Sequence, residues 1–299
     1  MTLVELGWTD TQWEKAKQKC KHTHHRWSRT NVRKVIYLFQ TRLLDLTQNQ
    51  LQTIFTSNPQ LLGMQSSTLC QTFDFFQNEI ELDSISISRM VRTVPTVLAY
   101  SIDHKLRPTI EFLQYEVGGG SGEWNGWKRI ISRYPQCLTQ SLENVLRPNV
   151  SFLQNDVLHL QRLSDVAKIV SLFPPTMWLQ TTLIERKVQY LKSSLQLSKE
   201  EVRDVIVTFP QILGLSVEHN LMAKIDFFLS DAEMTHDQLK DFVLYQPALL
   251  AYSLEGRLRP RIKQLQHSSI TFGYTPPYLM SLSDDKFKNW YVIVVAEVV

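Results

Sequence analysis

The sequence predicts an all-α fold, an α-solenoid whose repeat of about 38 residues holds two helices and a 3₁₀ turn. Three observations carry that expectation. A proline recurs at Pro59, Pro95, Pro135, Pro174, Pro210 and Pro247, in steps of 36, 40, 39, 36 and 37 residues. Apolar residues precede it at the spacing of a single helix face. The stretches PTVLAYSIDHKLRPTIEFL, from Pro95, and PALLAYSLEGRLRPRIKQL, from Pro247, are near copies 152 residues apart.

The elements follow in order from those anchors. RKVIYL at 33–38 matches RKVQYL at 186–191, which starts the array near residue 32. In each unit a helix, B, ends at the proline, because proline has no amide to donate and clashes with the preceding turn. Val202, Val205, Ile206 and Phe209 lie eight, five, four and one residues before Pro210, and the other units fill the same slots. Trp127, Tyr134 and Phe209 thereby become core residues. Thr47 with Gln50, Ser198 with Glu201 and Thr235 with Gln238 are capping boxes that start helix B. A leucine or methionine three residues after the proline predicts an apolar 3₁₀ turn. A polar loop containing Ser101, Ser141, Ser216 or Ser253 then leads to helix A, with Pro108, Pro148 or Pro260 in its first turn, where proline is favoured. The units after Pro59 and Pro174 are one residue short, and the latter has Arg186 in place of the proline. GGGSGEWNG at 118–126 lengthens one A–B connection as a loop; no strand precedes it, so it is no phosphate cradle. The expected organisation is a basic segment at 1–31, a repeat array at 32–266 and a capping segment at 267–299.

Bulk properties narrow the function classes. Of 299 residues, 43% are hydrophobic and 20% charged, which is globular composition. A net charge of +3 excludes a polycation, so a nucleic-acid surface has to come from local placement of charge. Cys20, Cys70 and Cys137 are too few and too far apart for a disulfide scaffold. The apolar tail YVIVVAEVV is too short to span a bilayer, so no membrane partner is expected. MTLVELGWTD has neither the charge order of a secretory signal nor the basic character of a transit peptide.

The P-x-x-L turn followed by S-x-x-x-x-L-R-P, recurring over residues 32–290 and closing on FGYTPPYLMSLSDDKFKNW, resembles the mitochondrial transcription termination factor (mTERF) family. A tetratricopeptide array would show a period of about 34 residues and its own W-x-x-L-G-x-x-Y pattern; HEAT repeats lack this proline cadence. The resemblance implies a left-handed superhelical array with a basic concave face that binds double-stranded DNA or structured RNA in mitochondria or chloroplasts. It implies roles in transcription termination or regulation, intron splicing or ribosome assembly, with some members bending DNA and everting bases. A monomer on nucleic acid is expected.

Candidate contacts are the cations that recur in register. The slot before the L-R-P proline holds Arg107, Arg147 and Arg259; the slot after it holds Lys187, Lys224 and Arg261, with Lys34 equivalent at the N-terminal end. Lys105 and Arg257 lie two residues before Arg107 and Arg259, and Arg186 and Lys263 extend the set. Placed at a helix N-terminus, each cation would oppose the macrodipole at a cost of about 0.3–1 kcal/mol. A bound phosphate would offset that cost. Tyr100 and Tyr252 are read as packing residues. Cys20, His22, His24 and His25 match no standard zinc spacing, so no metal or cofactor is expected. No Walker loop, Gly-x-Ser-x-Gly or His-Glu-x-x-His is present, and an enzyme is not expected. The competing reading is an α-solenoid adaptor that binds proteins and no nucleic acid.

Overall fold

The computed structural model describes residues 6–20, 27–43, 46–118, 125–267 and 277–298. Among these the regular elements are helices and helical turns, with no strand. His22, His24 and His25, most of the 118–126 insertion, and residues 268–276 of the closing segment lie outside the described residues. The chain forms two compact units, Met1–Arg147 and Pro148–Val299.

In the first unit, α1 (Asp10–Lys19) is followed by three A–B pairs. These are α2 (Arg29–Arg42) with α3 (Gln48–Ser57), α4 (66–79) with α5 (Ser84–Thr93), and α6 (102–117) with α7 (Gly126–Arg133). Helix α2 starts at Arg29, three residues before the expected array start, because the Ser28 hydroxyl caps the Asn31 amide. A helical run, α8 (142–157), contains the boundary between units. The second unit continues with α9 (Leu163–Leu172), α10 (Thr181–Ser194), α11 (Lys199–Thr208), α12 (217–230), α13 (His236–Tyr245), α14 (254–267) and α15 (Asp284–Val298).

Helix B forms as its sequence dictates. The three capping boxes are complete, each threonine or serine hydroxyl receiving the N3 amide while the N3 side chain returns to the cap amide. Leu51, Ile54 and Phe55, and likewise Val202, Val205 and Ile206, are buried along one face. Tyr134 and Phe209, one residue before the proline, are only half-buried, unlike Trp127. All six prolines open a 3₁₀ turn, and the leucine or methionine three residues on is fully buried in each.

Helix A departs from expectation at its start. Ser101, Ser141, Ser216 and Ser253 are its N-caps, accepting the amides of His104, Asn144, His219 and Gly256 at 3.0–3.2 Å. The predicted polar loop is therefore helical, and Pro108, Pro148 and Pro260 lie in the second turn. A turn with i→i+5 hydrogen bonding precedes each of them: the Leu106, Leu146 and Leu258 amides donate to the cap serine carbonyls at 3.0 Å. The same turn forms before Ala223, where no proline is present, through Leu221 and Ser216. Chain length explains it. From the 3₁₀ proline to the buried polar residue of helix A there are 14 residues in these units, as from Pro210 to Lys224, but 13 from Pro174 to Lys187. The extra residue is absorbed as a π turn; α10, which lacks that residue, is regular throughout.

Helix A ends in a left-handed residue at Glu81, His159, Gln196 and Glu233, with φ of 47–57°. The following amide turns back into the helix, as from Leu82 to the Phe76 carbonyl at 2.9 Å and from Met234 to Phe228 at 3.0 Å. Leu82, Leu160, Leu197 and Met234 are thereby buried, and helix B is aimed back along the repeat.

Candidate nucleic-acid interface

The slot after the proline lies on the buried face of helix A. It holds Thr72, Thr109, Asn149, Lys187, Lys224 and Arg261, and all are buried. Lys187, Lys224 and Arg261 are 9%, 3% and 4% exposed, so they do not form the expected surface stripe. Their heads point at the carbonyl oxygens that end the next 3₁₀ turn, which the short turn leaves without intrahelical partners. Lys187 Nζ donates to the Leu213 carbonyl. Lys224 Nζ donates to Leu250 O at 2.5 Å and to Asn220 Oδ1 at 2.6 Å. Arg261 spans Leu279 O, Met280 O and Leu282 O at 2.8–3.1 Å and reaches Asp284 at 2.8 Å. Asn149 Nδ2 serves Leu179 O at 2.7 Å, and Asn31 serves Met64 O at 2.7 Å. Lys105, from the π turn, reaches the Gln140 carbonyl. These side chains clip one repeat to the next.

Burial lowers the Lys187 and Lys105 ammonium pKa values. It lowers that of Lys224 to about 8. Unfolded lysine keeps its proton to about pH 10.4. Between about pH 8 and 10 the unfolded chain thus binds more protons than the folded one, and stability should rise with pH there. Below pH 8 the cost of burying the charge is fully present. We expect the stability of the wild type relative to Lys224→Met to be flat below pH 8 and to climb by on the order of 2 kcal/mol by pH 10. Urea midpoints of both proteins across that range measure it; a constant difference would mean that Lys224 stays charged.

Arg107, Arg147 and Arg259 lie inside helix A, not at its N-terminus, so the expected dipole cost does not apply. The first turn instead carries Asp103, Glu143, Glu218 or Glu255, the favourable sign there. Each arginine is held between two carboxylates, one four residues earlier on its own helix and one at the end of the preceding helix A. Arg107 pairs with Asp103 and Glu79, Arg147 with Glu143 and Glu116, and Arg259 with Glu255 and Asp231. Each guanidinium also covers a phenylalanine of that preceding helix: Phe75 at 5.3 Å, Phe112 at 6.0 Å and Phe227 at 4.7 Å. The carboxylates raise the Arg147 and Arg259 pKa values further above the ordinary arginine value. These arginines brace one repeat against the next.

The remaining predicted residues divide. Arg186 pairs with Glu218. Lys34 is exposed and aligns with Arg186 instead of Lys187, since the burial pattern Val32, Val35, Ile36, Phe39 matches Ile184, Lys187, Val188, Leu191. Arg257 lies over Tyr252 at 4.8 Å, as Lys105 lies over Tyr100 at 5.9 Å. Lys34, Arg257 and Lys263 make no ion pair among the described residues. Helix B adds four exposed arginines absent from the sequence expectation, Arg89 and Arg92 on α5 and Arg129 and Arg133 on α7. Their signal was available in the segments SISISRMVRT and GWKRIISR, which contain no acid.

No helix among the described residues is long and apolar enough to cross a membrane. No curated protein matches the chain significantly. The mTERF family model matches residues 19–156 and 124–288, two overlapping regions that together span most of the sequence. The chain therefore belongs to the mTERF family, whose members are in general organellar nucleic-acid-binding proteins of gene expression.

Proposed function

We propose that the protein binds double-stranded DNA or structured RNA through the phosphate backbone and regulates organellar transcription or RNA processing without a catalytic step. The observation that supports this reading is the sorting of its cations. Most of the recurrent cations of helix A meet carboxylates or carbonyls, whereas Arg89, Arg92, Arg129 and Arg133 of helix B are exposed and make no ion pair among the described residues. That unpaired cluster, on two neighbouring helices without an acid, is a surface available to phosphates. Phosphate neutralisation releases counterions, so affinity is governed by salt and only weakly by sequence.

Titration of the full chain with a duplex DNA and an RNA hairpin over a salt series tests the reading. Affinity should fall linearly on log–log axes, by about 0.9 per phosphate contacted on B-DNA and less on single strands. Absence of binding to either at about 50 mM salt would overturn it.

A further inference from the structure

Resting on that reading, we infer that Arg89, Arg92, Arg129 and Arg133 form the phosphate-contacting site of the first unit, and that the L-R-P arginines contribute nothing to it. Helices α5 and α7 pack side by side. All four arginines are exposed, and none makes an ion pair among the described residues. Arg89 and Arg129 occupy the same repeat position, six residues before Pro95 and Pro135. On neighbouring packed helices, equivalent positions sit about 8–10 Å apart. Arg92 and Arg133 extend each row by one turn toward the proline, so the four guanidinium groups share one end of one face.

Arg92 and Arg133 lie in the last turns of α5 and α7, where a cation suits the macrodipole, but Arg89 and Arg129 lie before those turns and gain nothing from it. Arg89 with Arg92 and Arg129 with Arg133 are also like-charge pairs at i,i+3 and i,i+4, which weaken a helix slightly. Elsewhere the protein neutralises such charges: Lys128, on the same helix as Arg129, is paired with Glu81 at 2.9 Å. Helices α11 and α13 of the second unit are more acidic in these positions, whereas α9 carries exposed Lys168 in the same slot. Asp204 and Asp241 stand where Arg89 and Arg129 stand, and α11 and α13 together carry Glu200, Glu201, Asp204, Asp237 and Asp241. A polyanion would be attracted to this face on α5 and α7 more than on α11 and α13. The partner chemistry is a row of phosphodiesters, met by arginine forks suited to bidentate contact.

The test compares the full wild-type chain with Arg89→Gln/Arg92→Gln/Arg129→Gln/Arg133→Gln, using a random-sequence DNA duplex and an RNA hairpin over a salt series. Glutamine keeps helix propensity at exposed positions. The two single-helix double variants serve if the quadruple variant does not fold. The quadruple variant should lose about tenfold or more in affinity, its log–log salt slope falling by about 0.9 for each lost contact on B-DNA. Arg107→Gln/Arg259→Gln should keep the wild-type slope. If the wild type binds and the quartet variant binds equally with the same slope, this assignment is wrong and the function stands. A slope lost only with Arg107 and Arg259 overturns it in the same way. If the wild type itself does not bind, the function and this site fail together.

Discussion

Arg261→Ala should lower the unfolding free energy by about 3–5 kcal/mol, because it strips the partners from a buried cluster of backbone carbonyls. The guanidinium holds two carbonyl oxygens of the turn Pro277–Ser281 and that of Leu282 just after it, and lies 4.5 Å over the Phe287 ring. This turn closes the array and does for Arg261 what the internal turns do for Lys187 and Lys224. The ion pair with Asp284 adds geometry more than energy. That carboxylate is largely exposed, although Arg261 does hold its pKa below the ordinary aspartate value. Arg261→Lys keeps the charge but cannot span three carbonyls, so it should restore only part of the loss. Urea unfolding followed by circular dichroism reads both variants. A loss below about 1 kcal/mol for alanine would show that water satisfies those carbonyls as well as the guanidinium does.

The contrast between this cluster and the expected binding stripe shows what a sequence reading can reach. Capping boxes, the face of helix B and the proline-led 3₁₀ turns depend on neighbours within one turn of the chain, so their signals are local and were legible. The direction of Lys187, Lys224 and Arg261 was not. A cation after L-R-P reads the same whether its head meets water or the carbonyls of the next repeat, and the deciding partners lie 18 to 26 residues away. The start of helix A departs from the sequence expectation for a different reason. Proline predicts a first turn only if the helix has no upstream π turn to give its ring room. The one-residue difference in unit length was visible, but its structural consequence was not. The acid four residues before each L-R-P arginine was visible too, in SIDHKLRP, SLENVLRP and SLEGRLRP. That i,i+4 spacing is the ordinary helix ion pair, and it became meaningful only once the serine was seen to begin the helix.

Whether cohesion and binding are separable depends on how the core transmits damage, and Phe39→Ala should show it most strongly. Phe39, Phe55 and Phe73 come from α2, α3 and α4 and are each 0–1% exposed. The Phe39 ring lies 4.8 Å from Phe55 and meets Phe73 edge-on at 5.8 Å. Truncation removes a large buried side chain and leaves a cavity that three separate helices cannot readily collapse, a loss of about 4–5 kcal/mol. Phe39→Leu retains most of the volume and should cost about 1–2 kcal/mol. Because each repeat contacts mainly its neighbours, the damage should stay local. Amide exchange should accelerate throughout α2, α3 and α4, while α11 and α13 keep their wild-type protection. If protection fell equally in all five helices, the array would unfold as one cooperative body. The helix-B arginines would then be tied to the same stability as the helix-A braces, and a binding defect in any core variant would report folding alone.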